Sequence, residues 1–219
     1  MTLAEALDPS PSPAFILLLS EKLDELKRKV TDNVRQFSYL VLARRKLDDG
    51  KLQGINPEWV EEFSALPEVS LVVVEADGAK GRSLKAPREK EPVVPLSTTL
   101  LVPVVGIDAL DCPLAEPYVF RSEIAARILD LPLGSKVTPE VIARLLWKLT
   151  PKESGKARII PFINKVDHPD LLGKARNVGE VLLRLCPGIE RVLLGQALGT
   201  PGVHEILTGR GTSYIGKEM

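Results

Sequence analysis

Cysteine is almost missing from this chain of 219 residues: Cys112 and Cys186 occur, in no CxxC spacing. Two such thiols exclude a disulfide framework, and they read as buried or incidental groups of a chain kept in a reducing compartment. Histidine is equally scarce, His168 and His204 alone, which leaves no ligand set for a zinc site and no Ser-His-Asp triad. Charge of one sign is lacking as well, because 29 Lys and Arg stand against 29 Asp and Glu. That balance excludes a basic nucleic-acid coat and an acidic solvating tail. No apolar run approaches the roughly 18–20 residues of a membrane span, and Met1 is followed by nothing like a secretory leader. The expectation is a cytoplasmic protein with neither nucleic acid nor membrane as partner.

What is present, at 44% hydrophobic residues, suffices for a sizeable core. The alternating prolines of Asp8-Pro9-Ser10-Pro11-Ser12-Pro13 forbid a helix, so residues 1–14 read as a proline-rich leading segment. Phe15–Leu19 and Tyr39–Ala43 read as strands around a helix that places Leu23, Leu26, Val30 and Val34 on one face. Val69–Val74 is nearly continuous apolar sequence, the pattern of a central parallel strand covered on both faces. Thr99–Val105, Arg158–Ile163 and Arg191–Leu194 continue the strand series, with helical periods at Ser122–Leu129, Val141–Leu149 and 171–185 between them. Strands alternating with helices predict an α/β domain over residues 15–195, a mainly parallel sheet flanked by helices, followed by a glycine-rich segment over 196–219. Ligands of such sheets bind outside the carboxyl ends of the strands.

Three constellations could carry chemistry there. Asn164-Lys165-Val166-Asp167 directly follows a strand run. An N-K-x-D tetrad in that place can read guanine, since the Asp167 carboxylate accepts from the ring N–H and the exocyclic amine together, a donor pair adenine lacks. Asn164 would contact the opposite edge of the base or brace a neighbouring loop, and the Lys165 stem would lie along the purine. Second, Glu75 and Asp77 end the valine run, and their alternation sends both to one side, where oxygen ligands suit Mg²⁺. Third, Lys80, Arg82, Lys85 and Arg88 crowd a glycine-containing loop and could grip phosphates or another anion. Each string also serves as ordinary structure: a polar turn, an Asp-Gly turn, a solvated charged face. A phosphate loop, GxxxxGK[ST], is absent. The nearest string, Ser154-Gly155-Lys156-Ala157, has Thr150 in place of the first glycine and Ala157 in place of the metal-binding hydroxyl.

VVVEADGAKGRSLKAP (Val72–Pro87), EPVVP (Glu91–Pro95), VVGIDAL (Val104–Leu110) and INKVD (Ile163–Asp167) together resemble the YqeC-type family of accessory proteins of selenium-dependent molybdenum hydroxylases. Lys51-Leu52-Gln53-Gly54-Ile55 is similar to that family's K-L-x-G-I/L segment, and Arg121-Ser122-Glu123 stands where its H-R-P-E-like element falls. The resemblance implies a phosphate-loop NTPase fold, here with its first strand or strands missing, and a role in maturing or inserting the molybdenum cofactor. The family's opening G-A-G-G-K-T-T loop and T-T-T-T strand have no counterpart in the sequence. Two functions stay open: a GTP-binding accessory protein, with GTP and Mg²⁺ as ligands, GTPase-like activity undecided and no catalytic residue assigned; and a non-catalytic module binding an anionic ligand, such as the molybdenum cofactor, or a hydroxylase apoprotein. A sheet without its early strand should also expose an apolar edge, so a homo-oligomer is expected.

Overall fold

Apolar residues spaced three and four apart make α1 (Leu23–Asn33), whose Leu26 and Val30 are buried, and this helix connects the first two strands. The computed structural model describes residues 15–150, 157–209 and 211–214; the proline-rich segment over 1–14 lies outside them. Chain contacts divide into two compact units, 1–75 with 94–97 and 76–93 with 98–219, where the sequence reading has a single domain over 15–195.

In the first unit, β1 (Phe15–Leu19) and β2 (Tyr39–Ala43) pair in parallel, Phe15 opposite Tyr39 through Leu19 opposite Ala43. An antiparallel pair of short strands, β3 (Arg45–Lys46) and β4 (Leu52–Gln53), closes over the Asp49-Gly50 turn, with Gly50 at φ 82°. Then comes α2 (Trp59–Ser64). Leu18, Leu26, Val30 and Phe63 form the core, flanked by Ile16, Leu42, Trp59 and Val72.

Correction is needed for Val69–Val74. Residues 65–83 hold no helix or strand, and Leu71, Val73 and Val74 are exposed. A strand exists only where a neighbour supplies its hydrogen bonds, and hydropathy records the wish for burial without the partner.

The second unit holds β5 (Leu84–Lys85), β6 (Leu100–Leu101), β7 (Val104–Gly106), a single 3₁₀ turn at Ile107–Ala109 and β8 (Val119–Phe120). Next are α3 (Ser122–Leu129), α4 (Pro139–Lys148), β9 (Arg158–Ile159), β10 (Phe162–Asn164), α5 (Pro169–Leu185), β11 (Arg191–Gln196), β12 (Gly202–Thr208) and β13 (Gly211–Tyr214). Five strands form one sheet in the order β13-β12-β11-β10-β7. β10 is parallel to both β7 and β11, while β12 and β13 run antiparallel. The β6–β9 pair extends the β7–β10 pair in the same register, interrupted where Pro103 and Pro161 offer no N–H. The sheet thus continues beyond residue 195, into part of the segment read as a glycine-rich tail. The fold is mixed α/β.

Local signals explain the helices. Thr138 caps α4 by accepting the Val141 N–H at 3.4 Å ahead of Pro139, and His168 caps α5, accepting the Asp170 N–H at 3.3 Å. Buried Glu205 of β12 is gripped by Arg176 of α5, with Nε at 2.7 Å. Val105, Ile107, Leu145, Ile163, Val178 and Leu194 belong to one apolar cluster. Burial pushes the Cys186 thiol up to about 11, which makes it an inert packing group. No helix among the described residues is long and apolar enough to cross a membrane.

Candidate functional site

Parallel pairing of β7, β10 and β11 sets three carboxyl ends on one rim of the second unit, and the polar tetrad sits on the middle one. Asn164 closes β10, and its Oδ1 accepts the Ala197 N–H at 2.9 Å, fastening the loop after β11. This is the bracing role the sequence offers for that side chain. Val166 is buried, its N–H donated to the Gly195 carbonyl at 3.0 Å. Both flanks of the turn are therefore fixed.

Lys165 between them adopts the left-handed conformation, φ 63°. Its ammonium donates to Ser83 Oγ at 2.5 Å and to Asp108 Oδ2 at 2.8 Å. Asp167 is exposed, and its carboxylate has no partner among the described residues.

Around the loop of the second unit that carries the four expected anion-binding residues, burial separates groups that look alike in the sequence. Lys85, 5% exposed, faces inward. Its Nζ donates to the Gly78 carbonyl at 2.9 Å, pairs with Asp77 Oδ1 and lies 3.7 Å from Glu91 Oε2. Its anion is internal. Arg82 is half-committed: it donates to the carbonyls of Pro117 and Lys80 and stands 3.4 Å from Glu116. Lys80 and Arg88 are exposed.

Glu91 and Arg121 complete this network. The guanidinium donates to both carboxylate oxygens, Nη2 at 3.0 Å and Nη1 closer still, and the Arg88 N–H adds a third bond at 3.1 Å. The Arg121 guanidinium holds the Glu91 carboxyl down to about 2, against the opposing effect of burial. The Phe120 ring collects cations on top of this, with Arg121 Cζ at 4.7 Å, Lys80 Nζ at 5.2 Å and Lys85 Nζ at 5.7 Å from its centre.

The sequence points to Glu75 and Asp77 as metal ligands at the end of a strand. No strand leads to them; Glu75 is exposed, Asp77 Oδ1 is neutralised by Lys85, and Asp77 Oδ2 is buried without a hydrogen bond. Among the described residues no group of three or more His, Cys, Asp or Glu is placed to hold a metal. These residues do not fit a Mg²⁺ cradle, and no chemistry is routed through one.

The same arrangement adds Ser83, Asp108, Glu91 and Arg121 to the candidate residues. Asp108 lies in the VVGID string and Arg121 beside Ser122-Glu123. Both strings are visible in the sequence, but their partners are far along the chain.

A family model described as the YqeC protein matches residues 6–123, just over half of the chain. The chain belongs to the YqeC family. Asp77, Lys85, Glu91 and Arg121 fall within that stretch, and the tetrad at Asn164–Asp167 lies beyond it. A YqeC relative from Escherichia coli (strain K12), described as "Uncharacterized protein YqeC", is 37% identical over 86 residues, which is 39% of this chain and 34% of that protein. The alignment thus spans about a third of the relative's length. No solved structure matches.

Proposed function

We propose that this YqeC-family chain is a guanine-nucleotide-binding accessory protein, and that the process it serves is the maturation of selenium-dependent molybdenum hydroxylases. The observation that carries the nucleotide reading is the exposed Asp167 carboxylate, without a partner among the described residues, on a turn whose other members are tied down, Asn164 to Ala197 and Val166 to Gly195. A rigid turn presenting one unpaired carboxylate suits the adjacent donors of guanine. Adenine would bring a ring acceptor against that carboxylate and leave it without a matching donor, a mismatch that polar sites reject by large factors. The maturation role rests on the family resemblance.

Binding, rather than hydrolysis, is the activity these residues support. Catalysis of phosphoryl transfer needs groups around the β- and γ-phosphates, and the sequence offers no phosphate loop. Magnesium enters as the companion of the nucleotide's phosphates, with Asp77 held by Lys85.

Calorimetric titration with GTP, GDP and ATP in the presence of Mg²⁺ tests the reading. Guanine nucleotides should bind roughly tenfold or more tightly than ATP, and Asp167→Ala should remove that preference. Equal affinity for GTP and ATP, or selectivity that survives Asp167→Ala, overturns it. The second reading is an anion- or partner-binding surface, and the exposed Lys80 and Arg88 favour it. It is the one left standing if no nucleotide binds.

A further inference from the structure

Beside the tetrad, a cleft of about 120 Å³ is lined by Gly81, Arg82, Ser83, Asp108, Tyr118 and Lys165. Two of these residues crowd Gly106, the last residue of β7, whose N–H donates to the Ser83 carbonyl at 2.9 Å. A Cβ at Gly106 would fall 2.4 Å from Asp108 Oδ1 and 2.6 Å from Ser83 Oγ. The carboxylate and the hydroxyl therefore both crowd a bare Cα, and the Lys165 ammonium donates to both.

Structure alone does not account for this arrangement. A left-handed backbone at a residue with a side chain costs on the order of 1 kcal/mol. The ion pair that it aims is half-exposed on both partners, 43% and 53%, a setting in which such pairs contribute about as little as that cost. Strain of this kind collects at ligand clamps.

Charge then selects the ligand. Lys165 is balanced by Asp108 and Arg82 by Glu116, so the cleft carries no surplus to attract a phosphate. What it offers is a dense set of hydrogen-bonding groups, two cationic donors, a serine hydroxyl and a carboxylate, beside an aromatic ring. Asp108 has two oxygens with about four acceptor positions, of which Lys165 takes one.

We propose that this cleft is a subsite for the cis-diol of a ribose, with Asp108 accepting both hydroxyls. A carboxylate at the carboxyl end of a parallel strand is well suited to hold sugar hydroxyls in this way. The inference rests on the guanine-nucleotide reading, because Lys165 belongs to both the tetrad and the cleft and so sets the sugar beside the base.

Titrating the full chain with GDP, 2′-deoxy-GDP, ADP and 2′-deoxy-ADP separates the two claims. The expected result is GDP bound roughly tenfold more tightly than 2′-deoxy-GDP, with that ratio collapsing in Asp108→Asn while the preference for guanine over adenine persists. GDP and 2′-deoxy-GDP bound alike, with guanine selectivity intact, overturns the ribose subsite and leaves the tetrad reading standing. Sugar discrimination with both bases and no base preference does the reverse. Absence of all nucleotide binding overturns both. The comparison of ribo and deoxy ligands is made on the unaltered protein, so it decides the question even if Asp108→Asn fails to fold.

Discussion

Lys85 shows what one residue's burial decides. Desolvating an ammonium costs several kcal/mol unless its donors are met, and here Asp77, Glu91 and the Gly78 carbonyl meet them. Lys80, Arg82, Lys85 and Arg88 are interchangeable as letters in a charged run, and only tertiary structure tells the internal cation from the exposed ones. Glu91 is held by Arg121 as well. Its folded carboxyl sits at about 2 against an ordinary 4.5, so its contribution to stability is fully present above pH 4.5 and is lost as pH falls toward 2. That contribution is on the order of 3 kcal/mol by linkage. Glu91→Gln should lower the unfolding free energy at pH 7 by about that amount and flatten its decline between pH 4.5 and 2. Urea denaturation at pH 7, 4.5 and 3 checks this, and a variant that keeps the parent's slope over that window removes Glu91 as its cause. In the tetrad, Asn164 braces the loop after β11, one of the two roles the sequence offers it, and Asp167 is exposed. Lys165 is held by Ser83 and Asp108, which lie 82 and 57 residues away, and no local pattern announces them.

Elements with local causes were legible. α3, α4 and α5 follow from apolar periods, and the caps at Thr138 and His168 close the last two. β7, β10 and β11 follow from short apolar runs between them. β12 and β13 were not, since glycines at 199, 202, 209 and 211 mask the strand pattern and the pairing partner is β11 rather than anything nearby. The junction of β11 and β12 also steadies the candidate site. Their register shifts between Leu194 and Gly195, and a Cβ at Gly195 would meet the Gly202 carbonyl oxygen at 2.1 Å. That neighbour is backbone, so relief requires the strands to part, and Gly195 is the residue whose carbonyl holds the tetrad through Val166. Gly195→Ala should cost about 2–3 kcal/mol by overpacking and weaken GDP binding. Gly54→Ala, with nothing within 4 Å of its Cβ, should stay within about 0.5 kcal/mol. Thermal denaturation of the pair decides: equal melting temperatures would mean the close approach at Gly195 carries no energetic weight.

Across the whole molecule, apolar burial is uneven. The second unit gathers its buried side chains into one large cluster, whereas the clustered core of the first is built on Leu18, Leu26, Val30 and Phe63. That same first unit leaves Leu71, Val73 and Leu96 exposed at 77%, 83% and 88%. Burying a side chain of this size contributes about 1.5–3 kcal/mol. In a two-fold pair each residue counts twice, giving on the order of 10 kcal/mol against an association cost of about 4–15 kcal/mol. The balance falls near weak, concentration-dependent self-association rather than a permanent dimer. The unpaired stretch around Leu71–Val74 has the character of a strand awaiting a neighbour, and a second copy would supply both hydrogen bonds and apolar cover. Light scattering should show the mean mass rising above that of a single chain between about 1 and 100 μM, the range such a balance implies. Leu71→Asp combined with Val73→Asp should hold the mass at one chain, because each carboxylate would have to be desolvated in the contact. A parent protein that stays monomeric throughout that range would show that these side chains are tolerated in water, as scattered surface apolar groups are, and that no copy of the chain covers them.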